Sequence, residues 1–301
     1  MNTMNTITRR DMIKKSVAFV GGSAVLLNLP ADAWAQPYQA GTKVKVALVR
    51  NQQLFAGGDE PDATIAQQML DRAVCLLTGE NDPATAWKTI IKPTDVLGIK
   101  TNEWDRLPTP AVLNAALKAR ALGVGIKEEN ISVRDRGVLN DPVFQKATAL
   151  INIRPMRTHA WSGVGTCIKN YIMFSPQPSS YHDDSCASLA ALHSLPEVKG
   201  KTRLHVLVMF RPQFHHLAAN QVSEEFLWKY SGLLAGFDPV AVDAVGLRII
   251  EAKRNEHFKE NRPLNPPAKH ITLADTQYHL GTADPAKIDL IKSGWDENTY
   301  V

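Results

Sequence analysis

Asp95-Val96-Leu97-Gly98-Ile99-Lys100 and Ile131-Ser132-Val133-Arg134-Asp135 are two short runs rich in Val, Ile and Leu, and between them Thr109-Pro110 opens a segment that reaches Leu122-Gly123. Short apolar runs of this kind read as strands. Threonine is suited to cap a helix, proline suits the first helical turn because the amide there has no partner anyway, and glycine suits a helix end. The spacing therefore predicts strand, helix, strand over 95–135.

The same alternation extends outward in both directions. Residues 44–49 form a Val-rich strand pattern, and 63–77 carry the helical apolar period Ile65, Met69, Ala73, Leu76, with Cys75 expected as a buried small hydrophobe. Further strands are predicted over 149–153, 204–209, 233–235 and 271–274, and helices over 162–174 and 185–195. Asp238-Pro239 repeats the cap-plus-proline signature and starts a helix through 252. Together these predict one α/β domain over 36–301, a mixed, largely parallel sheet with helices on both faces. Ligands in such sheets bind beyond the carboxyl ends of strands, which directs attention to the residues after Ile99, Val133, Ile153, Val208 and Ala235.

At the N-terminus, Thr8-Arg9-Arg10-Asp11-Met12-Ile13-Lys14 has the twin-arginine pattern, 16–29 is apolar, and Ala33-Trp34-Ala35 offers small residues for cleavage. A spanning helix needs about 20 apolar residues, and this run is shorter and broken by Gly21, Gly22, Ser23 and Asn28. The expectation is a removable signal over 1–35, the twin-arginine translocase as export partner, a periplasmic destination, and no stable membrane insertion of the mature chain. That route carries folded proteins, so a cofactor loaded before export is worth seeking.

The chain has 34 basic and 30 acidic residues, a balance that argues against nucleic acid as a partner. Its three cysteines exclude a four-cysteine iron–sulfur cluster held by this chain alone, and Cys167 and Cys186 are a candidate disulfide.

The densest candidate segment runs from Arg154 to Asn170, where Arg157, His159, Gly163, Gly165, Lys169 and Asn170 follow a predicted strand. Free backbone N–H groups at a helix entrance favour an anion, and glycines let a ligand approach; a purely structural helix entrance explains the same glycines. Lys100-Thr101-Asn102-Glu103 follows another strand, and Arg134-Asp135-Arg136 a third, offering guanidinium groups or a surface ion pair. Asp243, inside an apolar sequence, is expected to be paired or catalytic. For a transition metal the candidates are His159, Cys167, His182 and Cys186, with His182, Cys186 and His193 able to share one helical face, and His215-His216 a further pair near the cleft.

Four segments in order, Val96 to Asn102, Ile151 to His159, Lys169-Asn170 and Asp238 to Ala244, resemble the domain-of-unknown-function 362 family over most of the chain after residue 35. The resemblance implies an α/β domain and a site location, and assigns no reaction. Some relatives carry an additional ferredoxin-like domain, which the cysteine count here does not match. Arg157 stands where that family usually has lysine, and Phe210-Arg211-Pro212 where an aspartate is common.

The leading expectation is an exported enzyme or redox accessory protein acting on a small anionic ligand. His159 would serve as acid/base or metal ligand, Asp243 as a second catalytic group, and Lys100, Asn102, Arg157, Lys169 and Asn170 as ligand-binding residues. The alternatives are a non-catalytic ligand- or metal-binding protein, or a structural partner of an exported oxidoreductase.

Overall fold

The computed structural model describes residues 42–219 and 221–301. The signal segment expected over 1–35 lies outside them.

The sheet contains β1 (Val44–Arg50), β2 (Leu97–Lys100), β3 (Ile131–Arg134), β4 (Ala149–His159), β5 (Gly163–Gly165), β6 (Thr202–Gln213), β7 (Gly232–Gly236) and β8 (Ile288–Gly294). Its order is β3-β2-β4-β6-β7-β1-β8, with β5 paired to β4 alone. The pairs β2–β3, β2–β4, β4–β6 and β1–β8 are parallel, and β7 runs antiparallel to both its neighbours. This is the mixed, largely parallel α/β sheet that the alternation predicts.

Strand side chains alternate between two cores, as the two-residue period of a strand requires. Ala47, Val49, Ile99, Ile151, Ile153, Val206, Val208 and Leu233 pack against helices α1 (Ala63–Thr78), α2 (Pro83–Ile90) and α3 (Ala111–Val124). Val46, Leu48, Leu150, Leu207, Met209 and Leu234 face the opposite core, which holds α4 (Cys167–Asn170), α5 (Pro239–Phe258) and α6 (Lys269–Thr276). Asp62 caps α1 by accepting the Ile65 amide at 2.8 Å, and Asp238 caps α5 by accepting those of Val240 and Ala241, with Pro239 next.

Several local expectations are corrected. Residues 271–274 are helical, because Ile271 and Ala274 sit three apart on one buried face of α6; the final strand is β8. The helix predicted over 162–174 is instead β5, one turn of α4 and a 3₁₀ turn, Tyr171–Phe174. No helix covers 185–195: Asp184, Ser185 and Cys186 have positive φ, and only Leu189–Ser194 forms a 3₁₀ turn. This removes the shared helical face proposed for His182, Cys186 and His193. Thr109 does not cap α3; its hydroxyl accepts the Asn102 amide at 3.1 Å, and Gly125 rather than Gly123 ends the helix in left-handed conformation.

Candidate anion site at the strand ends

Pairing of β2 with β4 ends at Lys100 opposite Asn152, yet β4 runs on to His159. The overhang, the segments after β2 and β3, and α4 enclose a cleft of about 370 Å³. Asn102 and Trp104 come from the segment after β2, Asp135 and Arg136 from that after β3, and Arg154, Arg157 and His159 from β4. Trp161, Lys169, Asn170, Ile172, Met173 and His182 complete the lining. Arg154 and Arg157 are three apart and would leave a regular strand on opposite faces. A register shift between Pro155 and Arg157 accompanies their common arrival in the cleft.

Beneath the cleft lies a buried polar seam built by register. Lys100 is opposite Asn152, and Asn152 opposite His205, on three adjacent strands. Asn170 ties the seam to α4, donating from Nδ2 to Asn152 Oδ1 at 2.8 Å, to the Lys100 carbonyl at 3.1 Å and to the Ile153 carbonyl at 3.2 Å. Asn152 Nδ2 donates to the Cys167 carbonyl at 2.9 Å and lies 3.1 Å from His205 Nδ1. These bonds satisfy groups that would otherwise be costly to bury.

Two kinds of buried cation meet here. Lys100 is fully buried and paired with Asp135 at 2.6 Å. Burial pushes the Lys100 ammonium down to about 8 despite that partner, and although burial pushes the Asp135 carboxyl up, Lys100 beside it holds it below the usual range. Arg154, Arg157 and Lys169 are also buried, and among the described residues no carboxylate forms an ion pair with any of them. Arg154 donates to the carbonyls of Pro155 and Thr166, each at 3.3 Å. Arg157 stacks 3.8 Å over the Trp104 ring and donates to the Thr158 carbonyl, while its Nε has no hydrogen-bond partner among the described residues. Burial, with Arg154 adding to it, lowers Arg157 to about 9; burial lowers Lys169 to about 8, with Arg154 and Arg157 lowering it further against Cys186.

His159 is held neutral. Burial, then the charges of Lys169, Arg157 and Arg154, push its pKa well below the ordinary value. Its Nδ1 accepts the Trp161 amide at 3.2 Å, which leaves the proton of the neutral ring on Nε2 and makes the imidazole a donor.

The helix entrance expected to bind an anion is occupied by the protein's own. Asp243 on α5 accepts the amides of Cys167 and Ile168 at 2.9 and 2.8 Å, capping α4 from a distant part of the chain. It is fully buried and does not line the cleft, and these two bonds are the pairing expected of a carboxylate in an apolar sequence. The glycines are also spoken for. A Cβ on Gly165 would lie 2.5 Å from the Arg154 guanidinium, and Gly163, at φ +72°, turns the chain against the Pro266 carbonyl.

Of the remaining candidates, Asn102, Arg157, Lys169, Asn170, His159 and His182 line the cleft, and Lys100 supports it from below through Asp135 and Asn170. The metal quartet does not converge. Cys167 sits at the Asp243 end of α4, Cys186 Sγ lies 3.6 Å from Lys169 Nζ, and His182 packs tilted against Trp161 with ring centres 4.5 Å apart. Among the described residues no group of three or more His, Cys, Asp or Glu side chains is placed to hold a metal ion. All three cysteines are free, so Cys167 and Cys186 form no disulfide. Arg134 turns away to pair with Asp141, and neither His215, bonded to Arg254, nor His216 lines the cleft.

Arg154, Asp135, Trp104 and Trp161 were not singled out as ligand-binding residues by the sequence reading. Asn152 and Arg154 are two apart on a strand, which was the available signal for a polar face.

Residues 109–248 match the family model described as Domain of unknown function (DUF362). That match supports the DUF362 family. It spans α3 to the first half of α5 and so includes Arg154, Arg157, His159, Lys169 and the Asp243 cap, while Lys100, Asn102 and Trp104 lie before it. No curated protein and no solved structure matches the chain.

Proposed function

We propose that the cleft binds a small, multiply charged anion, a carboxylate or phosphate compound, in an exported protein. The observation that carries this reading is the convergence of Arg154, Arg157 and Lys169, all buried and none ion-paired among the described residues, on one cleft. Desolvating a cation without a partner costs several kcal/mol, and an anion that supplies the missing partner recovers that energy on binding. The Trp104 and Trp161 rings give the cleft an apolar wall, and His159 offers an uncharged donor. The same positive field that lowers His159 also opposes a divalent cation there, which favours the anion over a resident metal.

Titration with phosphate and with di- and tricarboxylates, followed by tryptophan fluorescence and thermal shift, tests the reading. Saturating anion at about 100 times Kd should stabilise the fold by about 2.7 kcal/mol, and a chloride control of equal ionic strength should not. No response to any of these anions overturns it. Elemental analysis of protein exported through its own signal tests the metal alternative, and stoichiometric zinc or iron lost in His159→Ala would favour it. For export, Arg9→Lys with Arg10→Lys should leave the protein in the cytoplasm; unchanged periplasmic yield overturns the twin-arginine reading.

A further inference from the structure

Lys100 and Lys169 are both buried lysines at the cleft, but their surroundings differ. Lys100 Nζ is held by Asp135, the Thr101 carbonyl and, at 3.4 Å, Asn170. Lys169 lines the cleft, is 5% exposed, and has as its hydrogen-bond partner the Cys186 thiol at 3.6 Å. A thiol is a weak acceptor, and burial raises the Cys186 pKa, so it stays uncharged. Cys186 is held there by backbone in an uncommon conformation: Asp184, Ser185 and Cys186 have φ of +46°, +58° and +63°, and none is glycine. Three successive residues in this region are strained, and such strain concentrates at functional sites.

We propose that Lys169 is a covalent nucleophile for the carbonyl carbon of a small 2-oxo acid whose carboxylate is held by Arg154 and Arg157. The proposal rests on the anion-binding reading and names its substrate class. Lysines become nucleophilic when desolvated beside other cations, and the fall of Lys169 to about 8 agrees with that environment. The two arginines remain charged and are the fitter partners for the carboxylate.

The step balances without an oxidant or reductant. The Lys169 ammonium releases a proton to water, and the neutral Nζ forms a C–N bond to the carbonyl carbon. The carbonyl oxygen, polarised by the His159 Nε2 proton, takes up two protons, one from Nζ of the carbinolamine and one back from water, and departs as water, leaving an iminium.

Incubation of the full chain with pyruvate or 2-oxoglutarate and sodium cyanoborohydride, followed by peptide mass mapping, tests this. One reduced adduct per chain on Lys169, absent in Lys169→Arg, suppressed by excess phosphate and forming faster as pH rises through about 8, is the expected result. Adducts only on exposed lysines, or none, in wild-type protein whose fluorescence still responds to phosphate overturn the nucleophile and leave the anion site standing. No adduct and no phosphate response overturn both. The wild-type map decides the matter even if the variant fails to fold.

Discussion

The two faces of the sheet are built from the same strands and could hardly differ more. On one, Ile99, Ile151, Ile153, Val206 and Val208 meet α1 to α3 in an apolar core. On the other, Lys100, Asn152 and His205 come from adjacent positions of those strands and enter a hydrogen-bonded seam under the cleft, and Arg154 lines the cleft itself. One face is apolar along these strands, while the other, which packs its own apolar core through Leu150, Leu207 and Leu234, also buries polar groups that need particular partners. The difference teaches that a strand's function and its stability can be carried by alternate residues.

Four changes would sharpen or break that comparison. Ile151→Ala should lose about 3 kcal/mol of stability by leaving a cavity in the apolar core, measured by denaturant unfolding, with anion affinity unchanged; a loss of affinity would show that the faces are not independent. Asn170→Ala should lose about 2 kcal/mol, because the Lys100 and Ile153 carbonyls and the Asn152 amide oxygen lose a donor. It should also weaken anion binding, since Asn170 lines the cleft.

Arg157→Met should reverse the pattern. Stability should not fall, since an unpaired buried charge is replaced by an apolar side chain, while anion affinity falls by about tenfold or more for the lost charge-assisted contact. Falling stability with unchanged affinity would instead make Arg157 a structural residue.

The smallest effect is a pH dependence. Burial raises the Asp243 carboxyl to about 6, outweighing the bonds it accepts. Between about pH 4, where an unfolded carboxyl ionises, and pH 6, the folded chain holds a proton that the unfolded chain has lost. Stability should therefore fall as pH rises through that window and level off above it. Asp243→Asn should flatten part of the slope, the rest belonging to Asp238, which is also raised to about 6; an unaltered slope would mean that Asp243 ionises normally.

Much of this molecule was legible before the fold was known, where the signal is local. The strand periods around Ile99 and Ile151, the Asp238-Pro239 cap and the class of the sheet depend on neighbours in sequence, and they appear as read. The clustering of Arg157, His159, Lys169 and Asn170 near a strand end was also readable. Asp243 was not: it lies in an apolar sequence, and its partners are the amides of Cys167 and Ile168, far away in the chain.

The same holds for the glycines and the cysteines. Gly163 and Gly165 suit a ligand cradle as well as a close approach to Arg154, and only packing decides between them. Cys167 and Cys186 share a neighbourhood in sequence, but the left-handed residues before Cys186 aim its sulfur at Lys169. Sequence by itself determined the alternation of elements and the residue types gathered at the strand ends, because backbone preference and hydrophobic period act over a few residues. Tertiary structure alone decided which cations found carboxylates and which did not, because ion pairing depends on distances of a few ångströms between segments that the chain order leaves far apart.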